Sequence, residues 1–564
     1  MHGGQQVLTC LRRFGWLSEK SVSMGSECYP ITILPHISKL YQEYLAAVEG
    51  AVNSPARRWY GFDPSVSGWA RGTESSVNAT RLADALEQQQ VSFGGGPAAL
   101  ENIARLRSGA RAIVTGQQVV LLGGPLLTLL KAATAIARAK QATQASGIDH
   151  VPVFWLATED HDLAEVDHVS LLSKRAIEML RADWKTSVAV PVGDFALGTE
   201  MISVLEQVSE LLAYAPICDV LREYYGPRKG YEPTLGGAFA RLMAHVFSAQ
   251  GLIVMDAAGR EFHALGASTL QYALEHADNL REALIARSSE LEANGFHAQV
   301  LVAPGSSLLF LVDDVTGERL ALRRDAKGAW KAGGRTYSTP ELLAILAAAP
   351  ERLSPNALLR PIFQDTILPT AAYIGGPAEI AYFAQSAVLY EAILGRTTPV
   401  LPRLSATLIE PTIATIIDRH EMQLPDVMTT AENLAQRLGA RAMPIEGKRR
   451  ISATGHAMDA ELNALTEYLG AMDESLGRSA VVSGSKMRYQ MNRLRRMAAT
   501  FELQKEASLR KHAEAVTLSV YPDNHLQERV LGGIWFLARF GEGLIDRLVH
   551  EAENQCAGHV VIRL

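Results

Sequence analysis

Residues 111–131 read RAIVTGQQVVLLGGPLLTLLK, and the order of textures in this stretch decides the fold. Arg111–Thr115 is a short apolar strand, Gly116–Gly124 a glycine-punctuated loop, and Pro125–Ala142 an alanine- and leucine-rich helix with proline in its first turn. The pattern returns further along the chain. Val151–Ala157 is a buried strand that ends abruptly in Glu159, Asp160, His161 and Asp162, and Leu252–Asp256 is another strand closed by an acid. Sheet texture resumes over Leu358–Ile374, and Pro399–Thr407 is the last candidate strand. Buried apolar strands alternating with amphipathic helices predict an α/β fold with a parallel, doubly wound sheet.

Between Gly295 and Tyr337 the alternation shortens. Gln299–Ala303, Leu308–Val312, Arg319–Arg323 and Gly328–Tyr337 read as small antiparallel strands joined by Gly and Asp turns, hence a β-rich insertion at 295–345 that splits the core into 24–294 and 346–450. Beyond Ile451, Leu462, Leu465, Leu469, Met472 and Leu476 form one coiled-coil seam, and Met487, Met491, Leu494, Ala498 and Phe501 form a second. Gly477, Ser483, Gly484 and Ser485 lie between them, so the preferred reading of 451–515 is a helical hairpin broken there, followed by a helical segment at 516–564. An exposed seam of this kind is a self-association surface, or else packs on its own catalytic body.

A chain of 564 residues exceeds what one hydrophobic core serves, and 48% apolar with 20% charged residues is an ordinary globular mixture. A net charge of -6 without a long basic run argues against nucleic-acid binding. The four cysteines, Cys10, Cys28, Cys218 and Cys556, are scattered, with no CxxC pair, so no disulfide framework is expected. The absence of a long apolar run argues against a membrane span, and the chain reads as cytoplasmic. Residues 1–23 lack a signal-peptide pattern and read as a disordered or misassigned extension before a start at Met24.

Three segments carry candidate chemistry. In the first, Thr115, Gly116, Gln117 and Gln118 precede Gly124 and Lys131; glycines before a helix N-terminus suit a phosphate or carboxylate, or else make a tight turn. Neither a Walker loop nor GxGxxG is present. In the second, Glu159, Asp160, His161 and Asp162 crowd a strand end, with His168 nearby. There His161 is a candidate general base oriented by Asp160 or Asp162, the acids are candidate amine ligands, and a solvated loop with Asp162 as helix cap is the plainer alternative. His161, Asp160 and His168 are also chemically suitable metal ligands, but their spacing matches no established set and no metal site is assigned. In the third, Arg360 suits a carboxylate or phosphate, and Gly375 and Gly376 turn into a helix bearing Glu379 and Tyr382. Pro522–Arg529 reads as a cap and turn, with contact to the active site across a domain or dimer boundary as the alternative.

Taken together, TGQQ at 115–118, GGP at 123–125 with Lys131, FWLATEDHDLAEVDHV at 154–169, LRPIFQD at 359–365, YIGGPAEIAY at 373–382, LQER at 526–529 and ITILPHISKLYQEYL at 31–45 resemble the BshC family, the cysteine ligases of bacillithiol biosynthesis, over nearly the whole chain from Cys28. The resemblance implies a Rossmann-like core related to class I aminoacyl-tRNA synthetases and a coiled coil that supports a homodimer. It also implies amide formation between cysteine and glucosaminyl-malate, with ATP as the expected cosubstrate. Neither a HIGH nor a KMSKS signature is present; Ser485-Lys486-Met487 is only superficially similar to the latter. Val119-Val120 stands where the family has glycine after the paired glutamines, and Ala378 where GPGE is usual. A metal-dependent hydrolase and a non-catalytic nucleotide-binding dimeric scaffold are the competing readings.

Overall fold

The computed structural model describes residues 26–564 except 64–66, 72–76, 187, 231, 304, 326 and 555, so the extension at 1–23 lies outside the described residues. Five strands form the main sheet: β1 (Arg111–Gln118), β2 (His150–Ala157), β3 (Ile253–Asp256), β4 (Thr370–Gly375) and β5 (Val400–Pro402). Their order is β5-β4-β1-β2-β3, all parallel. The order reverses between β1 and β4, and in open sheets of this type ligands sit beyond the carboxyl ends of the strands at such a reversal.

β1 runs three residues past its predicted end. Gly116, Gln117 and Gln118 pair with Trp155, Leu156 and Ala157 of β2, because the missing side chain of Gly116 lets the strands approach; a Cβ there would stand 2.9 Å from the Trp155 carbonyl oxygen. Helix α1 (Leu127–Ser146) follows one short turn at Leu121–Gly123. Its start is covered, since Leu126 N–H donates to Leu531 O and Gly533 N–H donates to Gly124 O. The expected open glycine loop is therefore a strand end and a buried turn. Val120 has an ordinary negative φ of -88°, and Ala378 sits inside helix α2 (Pro377–Leu394), so neither departure from the family pattern strains the backbone.

The insertion is a five-stranded antiparallel sheet of Ser306–Val312, Arg319–Arg324, Trp330–Ala332, Arg335–Tyr337 and Leu353–Pro355. It thus extends ten residues beyond the predicted 345 boundary, and Gln299–Ala303 is not a strand. Pro399–Thr407 resolves into β5 and a second strand, Ala406–Ile409, which joins His559–Arg563 and Ser26–Tyr29 in a separate small sheet. That sheet sets Ser26–Tyr29 beside the C-terminal strand, and, contrary to the expectation of no disulfide, Cys28 and Cys556 are bridged across a Cα separation of 6.1 Å. Spacing in sequence gave no sign of it, because strand register and not chain separation sets the contact.

Helices Ile445–Met472 and Glu474–Lys505 form the antiparallel hairpin, with Arg488 paired to Asp459. The break is at Asp473, whose carboxylate accepts from the N–H groups of Ser475 and Leu476. The glycines that suggested a break instead sit at helix contacts: a Cβ on Gly477 would lie 2.8 Å from the Cα of Gly470. No helix among the described residues is long and apolar enough to cross a membrane.

Candidate active site

β2 delivers the acidic segment to the carboxyl edge of the sheet. Its backbone is fixed by Gly193 N–H donating to Thr158 O (2.9 Å) and Val192 N–H donating to Asp160 O (2.7 Å). Gly193 is needed for this approach, because a Cβ there would overlap the Thr158 side chain. Asp160 accepts from Gln118 Nε2 (2.6 Å) and from the backbone N–H of His161 (2.9 Å), while its side chain stays 36% exposed. Glu159 lies 2.8 Å from Nε2 of His263, a fully buried histidine on the helix Arg260–Glu275, in a charge contact that is not aligned as a hydrogen bond. Burial works against a charge on His263, but the Glu159 carboxylate outweighs it and the pKa is raised. Beside them Asp256, which accepts from Thr158 Oγ1 (2.5 Å), has its pKa pushed up to about 6, first by burial and further by Asp194 and Glu159.

The insertion closes over this segment. Arg319 N–H donates to Ala189 O (2.8 Å), next to the residues that grip Asp160. From there the Arg319 side chain reaches the core: Nη1 donates to His161 Nδ1 (3.2 Å), Nε to Ser354 Oγ (3.1 Å) and Nη2 to Pro355 O (3.0 Å), with the guanidinium 3.8 Å above the Phe310 ring. The chain then returns to the core at Asn356, whose side chain accepts from Leu358 and Leu359 N–H at the start of the helix Arg360–Ile367. Arg360 donates to Tyr382 OH (3.0 Å); burial opposes its charge, but Tyr382, Tyr373, Glu379 and Asp160 outweigh it and raise its pKa. Asp160 acts electrostatically on both Arg360 and Arg319, and Arg319 in turn holds His161, so the acidic segment, the insertion and the Arg360 helix bear on one charged neighbourhood.

The reversal between β1 and β4 is occupied by protein groups. Lys131, 5% exposed, bonds Glu379 (2.7 Å), Gly116 O (2.5 Å) and Gln117 Oε1 (3.0 Å), which uses its three ammonium protons. Glu379 also accepts from Tyr373 OH (2.5 Å) and Gly376 N–H (2.8 Å). Burial opposes its charge, yet Lys131 and these donors hold the carboxyl below its usual range. A Cβ on Gly376 would come 3.2 Å from Nε of Arg403, and Arg403 is buried against Glu528 (2.6 Å). Thr115 Oγ1 donates to Ile374 O (2.9 Å) across to β4. The LQER segment belongs to this framework: Glu528 also accepts from Ala406 N–H, and Gln527 bonds both the N–H and the carbonyl of Leu408.

The expectation that Asp160 or Asp162 orients His161 is corrected. Asp160 Oδ1 is 3.8 Å from Nδ1, too far for a hydrogen bond, and Asp162 is exposed with no capping bond. His168 turns to Asp167 (3.0 Å), which Arg181 also binds, and is not joined to Asp160 or His161. Among the described residues no three His, Cys, Asp or Glu side chains are grouped to hold a metal ion. Gly124, with φ +68°, packs over Val120 and faces the covered helix start. Sequence reading missed Arg319, His263 and Asp256. Only Asp256, as an acid ending a strand, had a signal that could have raised it.

Two protein-family models match this chain: "Bacillithiol biosynthesis BshC, N-terminal Rossmann-like domain" over residues 27–404 and "Bacillithiol biosynthesis BshC, C-terminal coiled-coil domain" over 406–564. Relatives named "Putative cysteine ligase BshC" include those of Koribacter versatilis, 39% identical over 96% of this chain and 100% of the relative; Solibacter usitatus, 36% over 80% and 84%; and Salinibacter ruber, 31% over 85% and 88%. A solved Campylobacter jejuni structure titled "putative arginyl t-RNA synthetase" aligns with 84% of this chain and 98% of its own at 8% identity and a TM-score of 0.22, too low to carry an argument.

Proposed function

The chain belongs to the BshC family of bacillithiol biosynthesis, and from that premise we propose that it is a cysteine ligase joining the carboxyl group of cysteine to the amine of glucosaminyl-malate, with ATP activating the carboxylate. The observation that carries this reading is that Glu159 and Asp160 act electrostatically on Arg319, and Asp160 also on Arg360, so that acids and guanidinium groups bear on one neighbourhood. Amide formation needs both charges. A carboxylate must be held while it is activated, and Arg360, whose fork suits two oxygens, is the group for that. An amine at neutral pH is largely protonated, so a nearby carboxylate must hold the ammonium and take its proton. Asp160 is open enough to do so, and Glu159 stands beside it.

The hairpin supports a homodimer. Leu465, Tyr468, Met472, Leu476, Met487 and Leu494 leave between 45% and 64% of their surface exposed, an apolar stripe that a second copy would cover. Leu465→Glu with Leu494→Glu is expected to yield monomers in sedimentation.

The ligase reading is tested by incubating purified protein with cysteine, glucosaminyl-malate and ATP and identifying products by mass spectrometry. The expected result is the cysteinyl amide, dependent on all three reactants. No amide under any of these conditions would overturn the reading, and product without ATP would remove the activation step.

A further inference from the structure

We propose that Arg319 is a positioning residue that fixes His161 as a neutral imidazole with its proton on Nε2, so that His161 serves as a hydrogen-bond donor to an anionic substrate oxygen and not as a base. The substrate named here rests on the ligase reading; the tautomer rests on geometry alone.

A guanidinium has five N–H donors, no acceptor, and keeps its proton in proteins. Nη1 of Arg319 donates to Nδ1 of His161 at 3.2 Å, so Nδ1 must accept and the ring proton is left to Nε2. Asp160 does not compete, because its nearer oxygen is 3.8 Å from Nδ1 and accepts instead from the His161 backbone. A doubly protonated ring would aim Nδ1–H at a guanidinium N–H, two donors and two like charges face to face.

Arg319 has no room to turn aside. Its other two nitrogens are held by Ser354 and Pro355, its plane rests on Phe310, and the residue is 7% exposed. Ser354 and Pro355 are neutral partners. Among the described residues no ion pair joins Arg319 to a carboxylate; Glu159 and Asp160 act on it only at longer range. A buried cation without a contacting counter-ion polarises the imidazole it touches and strengthens the remaining N–H as a donor. His161 is about one-third exposed (34%) and is tied through Arg319 and Asp160 to the charged neighbourhood of Arg360, where an activated carboxyl oxygen would gather negative charge. Preorganised donors of this kind are worth about 10² to 10³ in rate.

Two measurements on the full chain test this. In ¹⁵N imidazole NMR, with His161→Gln used to assign the resonance, wild-type His161 is expected to show a protonated Nε2 and an unprotonated Nδ1 at neutral pH. Arg319→Met is expected to mix the tautomers, and if that variant does not fold, the wild-type pattern decides alone. A protonated Nδ1 in wild type would overturn the proposal. In ligation assays glutamine can donate from its amide but cannot act as a base, so His161→Gln is expected to stay within about tenfold of wild type while His161→Ala falls by about 100-fold. Equal losses would contradict a donor role. A wild-type chain that forms no amide would remove the ligase reading while leaving the NMR result in force.

Discussion

Two polar clusters share the carboxyl edge of one sheet and differ in how their hydrogen bonds are used. At the reversal between β1 and β4, Lys131 is buried, Glu379 is only 14% exposed, and the two are saturated by each other and by Gly116, Gln117, Tyr373 and Gly376. At the end of β2, Asp160 and His161 are held on one side and open on the other. Both clusters are rich in the residue types that chemistry needs. The difference teaches that a motif residue is available to a substrate only when its donors and acceptors are not already spent inside the protein.

The sharpest way to break this contrast is to remove one partner of the saturated pair. Glu379→Gln or Lys131→Met leaves a charge buried alone and is expected to lower stability by about 3–5 kcal/mol in urea unfolding, with part recovered in the double variant. A loss below about 0.5 kcal/mol would mean the pair is not structural.

Next in size is His263→Gln. The pKa of His263 is raised in the folded state, so its contribution is present below the unfolded value and is lost as pH rises through the folded one. The variant is expected to be destabilised by about 1–3 kcal/mol near pH 6, with the gap narrowing by about pH 9. A gap that widens with pH would contradict the contact with Glu159.

The smallest expected effect has the opposite sign. Asp256, raised to about 6, binds a proton more readily folded than unfolded, so wild-type stability falls as pH rises through about 6. Asp256→Asn removes that fall and is expected to be about 1–2 kcal/mol more stable than wild type at about pH 8, and equal to it at about pH 4. Melting curves at the two values check it.

The doubly wound sheet was legible because its strands are short apolar runs set between amphipathic helices, and the hairpin because its seams repeat every three or four residues. The end of β1 was misread, since Gly116 looks like a turn in sequence and acts as a close-packing position in a sheet. The acidic segment was legible as a cluster, but its orientation was not, because Val192 and Gly193 grip its backbone and Arg319, which bonds His161, lies 158 positions away on an inserted strand. His263 was hidden for a similar reason: a lone histidine on the buried face of a helix gives no sign of the carboxylate it meets.

The most direct test compares ligation rates of Asp160→Asn and Glu379→Gln under conditions where circular dichroism shows both folded. The expected result is a loss of about 100-fold or more in Asp160→Asn with little change in its melting temperature, and a rate in Glu379→Gln that tracks its folded fraction. Full turnover in Asp160→Asn together with abolished turnover in folded Glu379→Gln would place the chemistry at the sealed pair and contradict this account.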